Sequence, residues 1–202
     1  MTIHMRLLAY ILVFLEGGAL LSYEIMAAKM YTPHIGATLY VWTSILTLTL
    51  IALAISYRAS HYFIQKKKWI ILPLSLVISG IYIIAMVFFR NAILPITYTM
   101  EIKSASLFAG LLLLLIPVFC MGLTSPIISA WLTEKQTDKT PDKSGNYAGL
   151  VYGIGTLSGV LFTLICLFLL MPTIGVNFTL ILLGTMLILA SVLSYFFIQK
   201  AK

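Results

Sequence analysis

Charge is scarce in this chain of 202 residues: Asp, Glu, Lys and Arg together make up 9% of it, where a soluble domain carries roughly a quarter. So few charged side chains cannot cover a water-soluble globule, and an ordinary soluble fold is excluded. Cysteine is almost missing too. Cys120 and Cys166 lie deep in apolar runs with no third ligand at a metal-like spacing, which excludes a disulfide scaffold and a cysteine metal site and leaves two packing residues. No run alternates apolar and polar residues with period two, so barrel strands are excluded as well. Acidic residues number only 6 against 13 basic ones, a net charge of +7. The basic residues fall between apolar segments rather than on one solvated face, so no nucleic-acid partner is expected.

What remains is apolar: 61% of the residues are hydrophobic and the mean hydropathy is +1.05. Crossing a bilayer takes about 20 such residues, and six runs are long enough, at about 7–28, 39–57, 69–89, 105–132, 147–171 and 176–198. The expected fold is therefore an all-α, polytopic membrane helix bundle of six transmembrane helices in a single domain, 1–202, with the lipid bilayer as its first partner. The N-terminal "MTIHMR" and the apolar residues after it resemble a signal peptide. The run is longer than the usual 7–15 residues and contains Glu16, however, so the first helix is expected to stay.

Orientation follows from Lys and Arg. Arg6, Arg58, Lys66, Lys67, Lys68, Lys135, Lys139, Lys143, Lys200 and Lys202 fall on one side, and only Lys29, Arg90 and Lys103 on the other. The positive-inside rule then puts both termini in the cytoplasm. Trp69 and Trp131 sit at cytoplasmic helix ends, as an aromatic belt requires. "EKQTDKTPDKSGN" reads as a solvated connector, and "RNAILPITYTMEIKS" as a segment lying along the outer interface. "NFT" at 177 fits a glycosylation pattern but lies too near the bilayer to count.

The anomaly is "FLEGGALLSYEIMAAK". At a rise of about 1.5 Å per residue, Glu16 sits roughly 14 Å from an entry at Leu7, near the middle of a core about 30 Å thick. An ionised carboxylate there costs several kcal/mol, so Glu16 must face the bundle interior, a cavity or a partner, and the neutral acid is the favoured form. Gly17 and Gly18 weaken the helix by on the order of 1 kcal/mol each. An unwinding there would build the broken-helix site of many secondary transporters; the other reading of Glu16 is a hydrogen-bonded strut between helices. Glu24 lies nearer the outer edge and seeks a donor on a neighbouring helix, while Lys29, five residues on and about 140° away around the helix, snorkels outward. The candidate substrate or proton site is thus Glu16, Glu24, Lys29 and Tyr23.

Two further helices are irregular. Pro117 and Pro126 lie within one run of about 28 residues, and the pattern predicts a kink or break at "MGLTSP", with Thr124 and Ser125 serving the freed carbonyls. In the next, Gly145, Gly149 and Gly153 recur every four residues, as do Gly155 and Gly159, which lets another helix approach closely. "GIGTLSG" is a near miss to a dinucleotide motif without its strand, and no nucleotide, metal or other cofactor is expected.

"LLSYEIMAAKM", "GATLYVWTSIL", "MGLTSPII" and "SGNYAGLVYGIGTLSGVLFTLICLFLLMPTIGV" together resemble the membrane region of the bacterial fused MFS/spermidine synthase family. The resemblance spans most of the chain and is strongest from Met121 to Val176. It maps the family's tyrosine, glutamate and basic residue onto Tyr23, Glu24 and Lys29, and its glycine and proline landmarks onto Gly122, Pro126, Gly145, Gly149, Tyr152, Thr156, Gly159, Pro172 and Gly175. The second helix lacks the family's glycines, and Glu16 stands where the family has a small residue. In fused relatives an aminopropyltransferase-like domain follows the last helix; here "QKAK" follows Ile198, and with no nucleophile and base or phosphate loop in sight no enzymatic action is expected. Gly36, Tyr40 and Thr43 echo Gly149, Tyr152 and Thr156, which suits a 3+3 inverted repeat like one half of an MFS protein. Such a half needs a second copy, hence a homo-oligomer, or other membrane subunits to enclose a pathway. The functional expectations are a transporter of a small cationic solute such as a polyamine, a non-catalytic subunit of a membrane complex, or the membrane half of a split synthase with a soluble cytoplasmic partner.

Overall fold

The computed structural model describes residues 3–134 and 141–201, and every element in them is helical. Lipid offers the backbone no hydrogen bonds, and helices satisfy their own. The order is α1 (Ile3–Ile35), α2 (Leu39–Gln65), α3 (Ile71–Ile93), a 3-10 helix (Leu94–Thr99), α4 (Ile102–Gly122), α5 (Thr124–Glu134), α6 (Pro141–Ile165), a π-helical turn (Cys166–Leu170) and α7 (Met171–Ala201). Five helical stretches among the described residues are long and apolar enough to cross a membrane: Met5–Ile35, Leu39–Gln65, Ile71–Thr99, Ile102–Glu134 and the 55-residue Gly145–Gln199. The chain is a multi-pass membrane helix bundle.

Each irregularity has a local cause. Gly36, at φ +85°, ends α1 in the left-handed conformation that suits glycine, and its N–H reaches the Thr32 carbonyl at 3.1 Å. Thr38 then caps α2, its side chain accepting from the Val41 N–H. The break expected at "MGLTSP" falls at Leu123, between α4 and α5. The interfacial segment expected around 90–104 instead contains the 3-10 helix, which buries Leu94 and Thr97 and whose Tyr98 hydroxyl lies 3.0 Å from His34 Nδ1. The two runs expected at 147–171 and 176–198 form one helical stretch, interrupted at Gly175, where φ is 78° and ψ is 170°. Only glycine takes that conformation readily. Of the expected connector after Glu134, residues 135–140 lie outside the described residues, and its end is already helical in α6.

The closest packings are α1 on α6, α2 on α4 and α3 on α7. Along the first pair, Val13 faces Gly155 and Leu21 faces Gly159, so the helices run in the same direction. Along the third, Ser191 donates to the Pro73 carbonyl at 2.7 Å and Arg90 donates to Asn177 at 2.6 Å, so those helices run oppositely. Trp131 meets Phe197 at a tilt of 58° with centroids 4.3 Å apart, and the exposed pair Lys67–Glu134 joins the turn after α2 to the end of α5.

Pro117 organises the middle of the bundle. Lacking an N–H, it leaves the Leu113 carbonyl without its helical donor. The donor is Tyr23, fully buried on α1, whose hydroxyl meets that oxygen at 2.6 Å. Tyr82 of α3 donates to the adjacent Leu112 carbonyl at 2.5 Å, and Ser79 to the Pro117 carbonyl at 3.3 Å. The carbonyl freed by this proline is thus served from α1, two others beside it receive further donors from α3, and Thr124 and Ser125 serve none of them: the Thr124 hydroxyl has no partner among the described residues, and Ser125 donates to Glu16.

Tyr23→Phe should therefore cost about 1–3 kcal/mol, the penalty for a buried acceptor left unpaired. Adding Pro117→Ala restores a backbone donor and should recover part of the loss. Equilibrium unfolding in mixed micelles measures both; equal losses from the single and double variants would refute this account.

Candidate functional site

The glycines of α1 create the site. Helix α1 continues through Gly17 and Gly18, so the expected unwinding does not occur; their role is close approach. A Cβ at Gly17 would lie 2.6 Å from the Gly155 Cα, and one at Gly18 2.6 Å from the Phe162 ring. A Cβ at Gly159 would lie 2.9 Å from Leu21 Cγ. Across the bundle, a Cβ at Gly122 would meet Leu53 at 2.8 Å. These close approaches, together with the end of α4 at Gly122, leave a partly open cavity of about 130 Å³ between α1, α2, α5 and α6. Leu20, Leu21 and Leu53 give it apolar walls, Gly17, Gly122 and Gly155 a backbone floor, and Glu16, Ser125, Thr156, Tyr57 and Tyr152 its polar atoms.

Glu16 is 3% exposed, and Ser125 donates to its Oε2 at 3.2 Å. Pro126 thus lies beside the site: the break before it turns Ser125 toward α1. Tyr57 and Tyr152 meet edge to face, centroids 6.4 Å apart with an angle of 79°. Thr156 donates to the Tyr152 carbonyl at 2.9 Å. Among the described residues lining the cavity, Glu16 is the only charged one. Ionised without a counter-charge it would be far out of balance with its surroundings. The cavity can therefore hold a neutral acid, or a carboxylate together with a cation.

The other sequence candidates are not brought to this point. Tyr23 is a core strut on the Leu113 carbonyl. Glu24, two turns beyond Glu16, is half-buried beside Thr49 of α2. Lys29 is exposed, as snorkelling requires. Of the α6 glycines, Gly155 and Gly159 pack on α1, whereas a Cβ at Gly145, Gly149 or Gly153 would meet nothing within 4 Å. Tyr57 is the lining residue that the sequence did not flag. Its signal was its place one helical turn after Leu53, a spacing that also fits ordinary packing. A second, larger hollow of about 420 Å³ lies between α3 and α7, lined by Pro73, Leu74, Val77, Ser191 and Tyr195 among others, and is almost wholly apolar. No group of three or more His, Cys, Asp or Glu that could hold a metal occurs among the described residues.

Comparisons with family models, with curated proteins and with solved structures return no match.

Ser125→Ala should remove about 1 kcal/mol of stability, the worth of one hydrogen bond, and should shift the infrared band of the Glu16 carboxyl group, identified by its loss in Glu16→Gln. An unshifted band would mean that the two side chains do not meet.

Proposed function

We propose that this chain is a transporter-like integral membrane protein that binds a small cationic solute, such as a polyamine, at Glu16. The observation that carries this reading is the cavity itself: an acid 3% exposed, lining a space within the membrane-spanning helices with no basic residue among the described lining residues. A purely structural acid would be sealed by its partners; among the described residues this one has a single hydrogen bond, and it faces open volume. Exchange of a proton for a cation at one carboxyl group is a workable transport cycle in such a setting.

The proposal includes six crossings in a bacterial cytoplasmic membrane, with both termini in the cytoplasm. A straight helix of 55 residues would extend roughly 80 Å, far more than the core of about 30 Å. The non-helical Gly175 and the opposite courses of α6 and α7 along their neighbours support a division into two spans, and the Lys and Arg count supports the orientation. The six spans form a 3+3 inverted repeat. A displacement of 104 residues relates Gly18 to Gly122, Gly80 to Gly184 and Ile84 to Ile188. The same displacement carries buried Leu76, Ile83 and Met86 onto buried Leu180, Leu187 and Ala190. Exchanging α1 with α4, α2 with α6 and α3 with α7 maps the closest packings onto one another. The cavity then lies where the two triplets meet, the position of binding sites in inverted-repeat transporters. The resemblance to the membrane region of fused MFS/spermidine synthases points the same way and suggests the amine.

In reconstituted vesicles, Glu16→Gln should abolish amine flux while leaving the folded protein intact by circular dichroism. Undiminished flux would remove Glu16 from the mechanism.

A second reading is favoured by one observation. Gly145, Gly149 and Gly153 present a small-residue face of α6 with open space before it, suited to another transmembrane helix. On this reading the chain is a non-catalytic subunit of a membrane complex. The mass of the native particle in mild detergent decides: stoichiometric foreign subunits favour the complex, and a monomer or homodimer favours the transporter.

A further inference from the structure

We propose that the Glu16 cavity is built for a small organic cation with a single primary ammonium group, admitted through the seam between α2 and α6 that Tyr57 and Tyr152 close. This rests on the reading of Glu16 as a cation ligand and departs from it on the solute, placing a monoamine where the family resemblance suggests a polyamine.

Charge sets the first limit. Glu16 is the only acid among the described residues that line the cavity, so a ligand with two or three ammonium groups would carry charge with no partner into a low-dielectric space. Size sets the second. Sites for drug-sized ligands run from about 300 to 1,000 Å³, and this cavity is about 130 Å³, so it encloses one head group with a short tail and leaves the rest of an extended triamine outside.

The oxygens specify the head group. Ser125 spends its hydroxyl proton on Glu16 at 3.2 Å, and Thr156 spends its own on the Tyr152 carbonyl at 2.9 Å. Each hydroxyl oxygen can then only accept. With the carboxylate they give the cavity lining three acceptor groups that suit the N–H donors of a primary ammonium ion. A quaternary ammonium has no such donors. A hard metal cation would call for about six oxygens and would gain nothing from the leucine walls, which suit a short alkyl tail.

The seam provides the route. Helices α2 and α6 do not pack along their length; their aromatic contact is the edge-to-face pair Tyr57–Tyr152. Both residues line the cavity and both are exposed, at 43% and 41%, so each spans from the inside of the cavity to the outer surface. Rotation of these side chains opens the seam without moving a helix. A cation passing them also meets ring faces that attract it.

The test is calorimetric titration of the full chain in nanodiscs with ethylammonium, tetramethylammonium and spermidine. Ethylammonium should bind at least tenfold more tightly than the other two, and Glu16→Gln should abolish that difference. Tyr57→Leu or Tyr152→Leu should weaken binding about three- to tenfold, in keeping with a cation–ring contribution. Joining Tyr57→Cys to Tyr152→Cys with a short reducible crosslinker should slow ethylammonium binding at least tenfold, and reduction should restore it. Tighter binding of spermidine or tetramethylammonium would overturn the primary-monoamine assignment and leave the cation reading standing. No binding of any of the three to protein with an unchanged melting temperature would overturn both. An unchanged rate after crosslinking would overturn the seam.

Discussion

One constraint organises the middle of this molecule: within lipid, a backbone carbonyl that loses its helical donor must find another inside the protein. The constraint is visible at Pro117, where a missing N–H on α4 is answered by a tyrosine hydroxyl from α1 and the neighbouring carbonyl by one from α3. Three helices are thereby fixed around one proline. Packing alone could not fix them, because lipid tails compete with leucine for leucine and give apolar side chains no reason to prefer one another. The glycines do the rest by letting backbones meet.

Glu16 belongs to the same logic with the opposite outcome. Among the described residues its partner set is incomplete: one serine hydroxyl and a space. Where the Pro117 carbonyls are fully served, the acid is left with capacity to bind something else. The difference separates a strut from a site, and it depends on geometry that spacing alone does not define. Tyr23 and Glu16 are seven residues apart, about two turns and on nearly the same face of α1. One ends in a proline-freed carbonyl, the other in a cavity.

The sequence made the helical membrane bundle legible because the apolar runs and scarce charges leave no other class of fold. It also made legible the break before Pro126, the burial of Glu16 and the exposure of Lys29, since proline chemistry and the cost of buried charge act locally. It misjudged Gly17 and Gly18 as weak points, because their helix propensity is overridden by the neighbours pressed against them. It assigned Thr124 and Ser125 to their own helix's carbonyls, whereas the donors come from other helices, 90 positions away in sequence for Tyr23 and 30 for Tyr82. Tyr57 escaped notice for the same reason: a tyrosine on a lipid-embedded helix acquires meaning only from the ring opposite.

The crossing of α3 and α7 has a consequence for how this chain can change. Each of Gly80 and Gly184 abuts the other's carbonyl oxygen, at 2.6 and 2.8 Å from where a Cβ would stand. Because glycine is already the smallest residue, no neighbour can shrink to make room when either one grows. Most packed positions can drift by trading volume with a partner; these two cannot, and any lineage of this protein should hold them together or lose the crossing altogether.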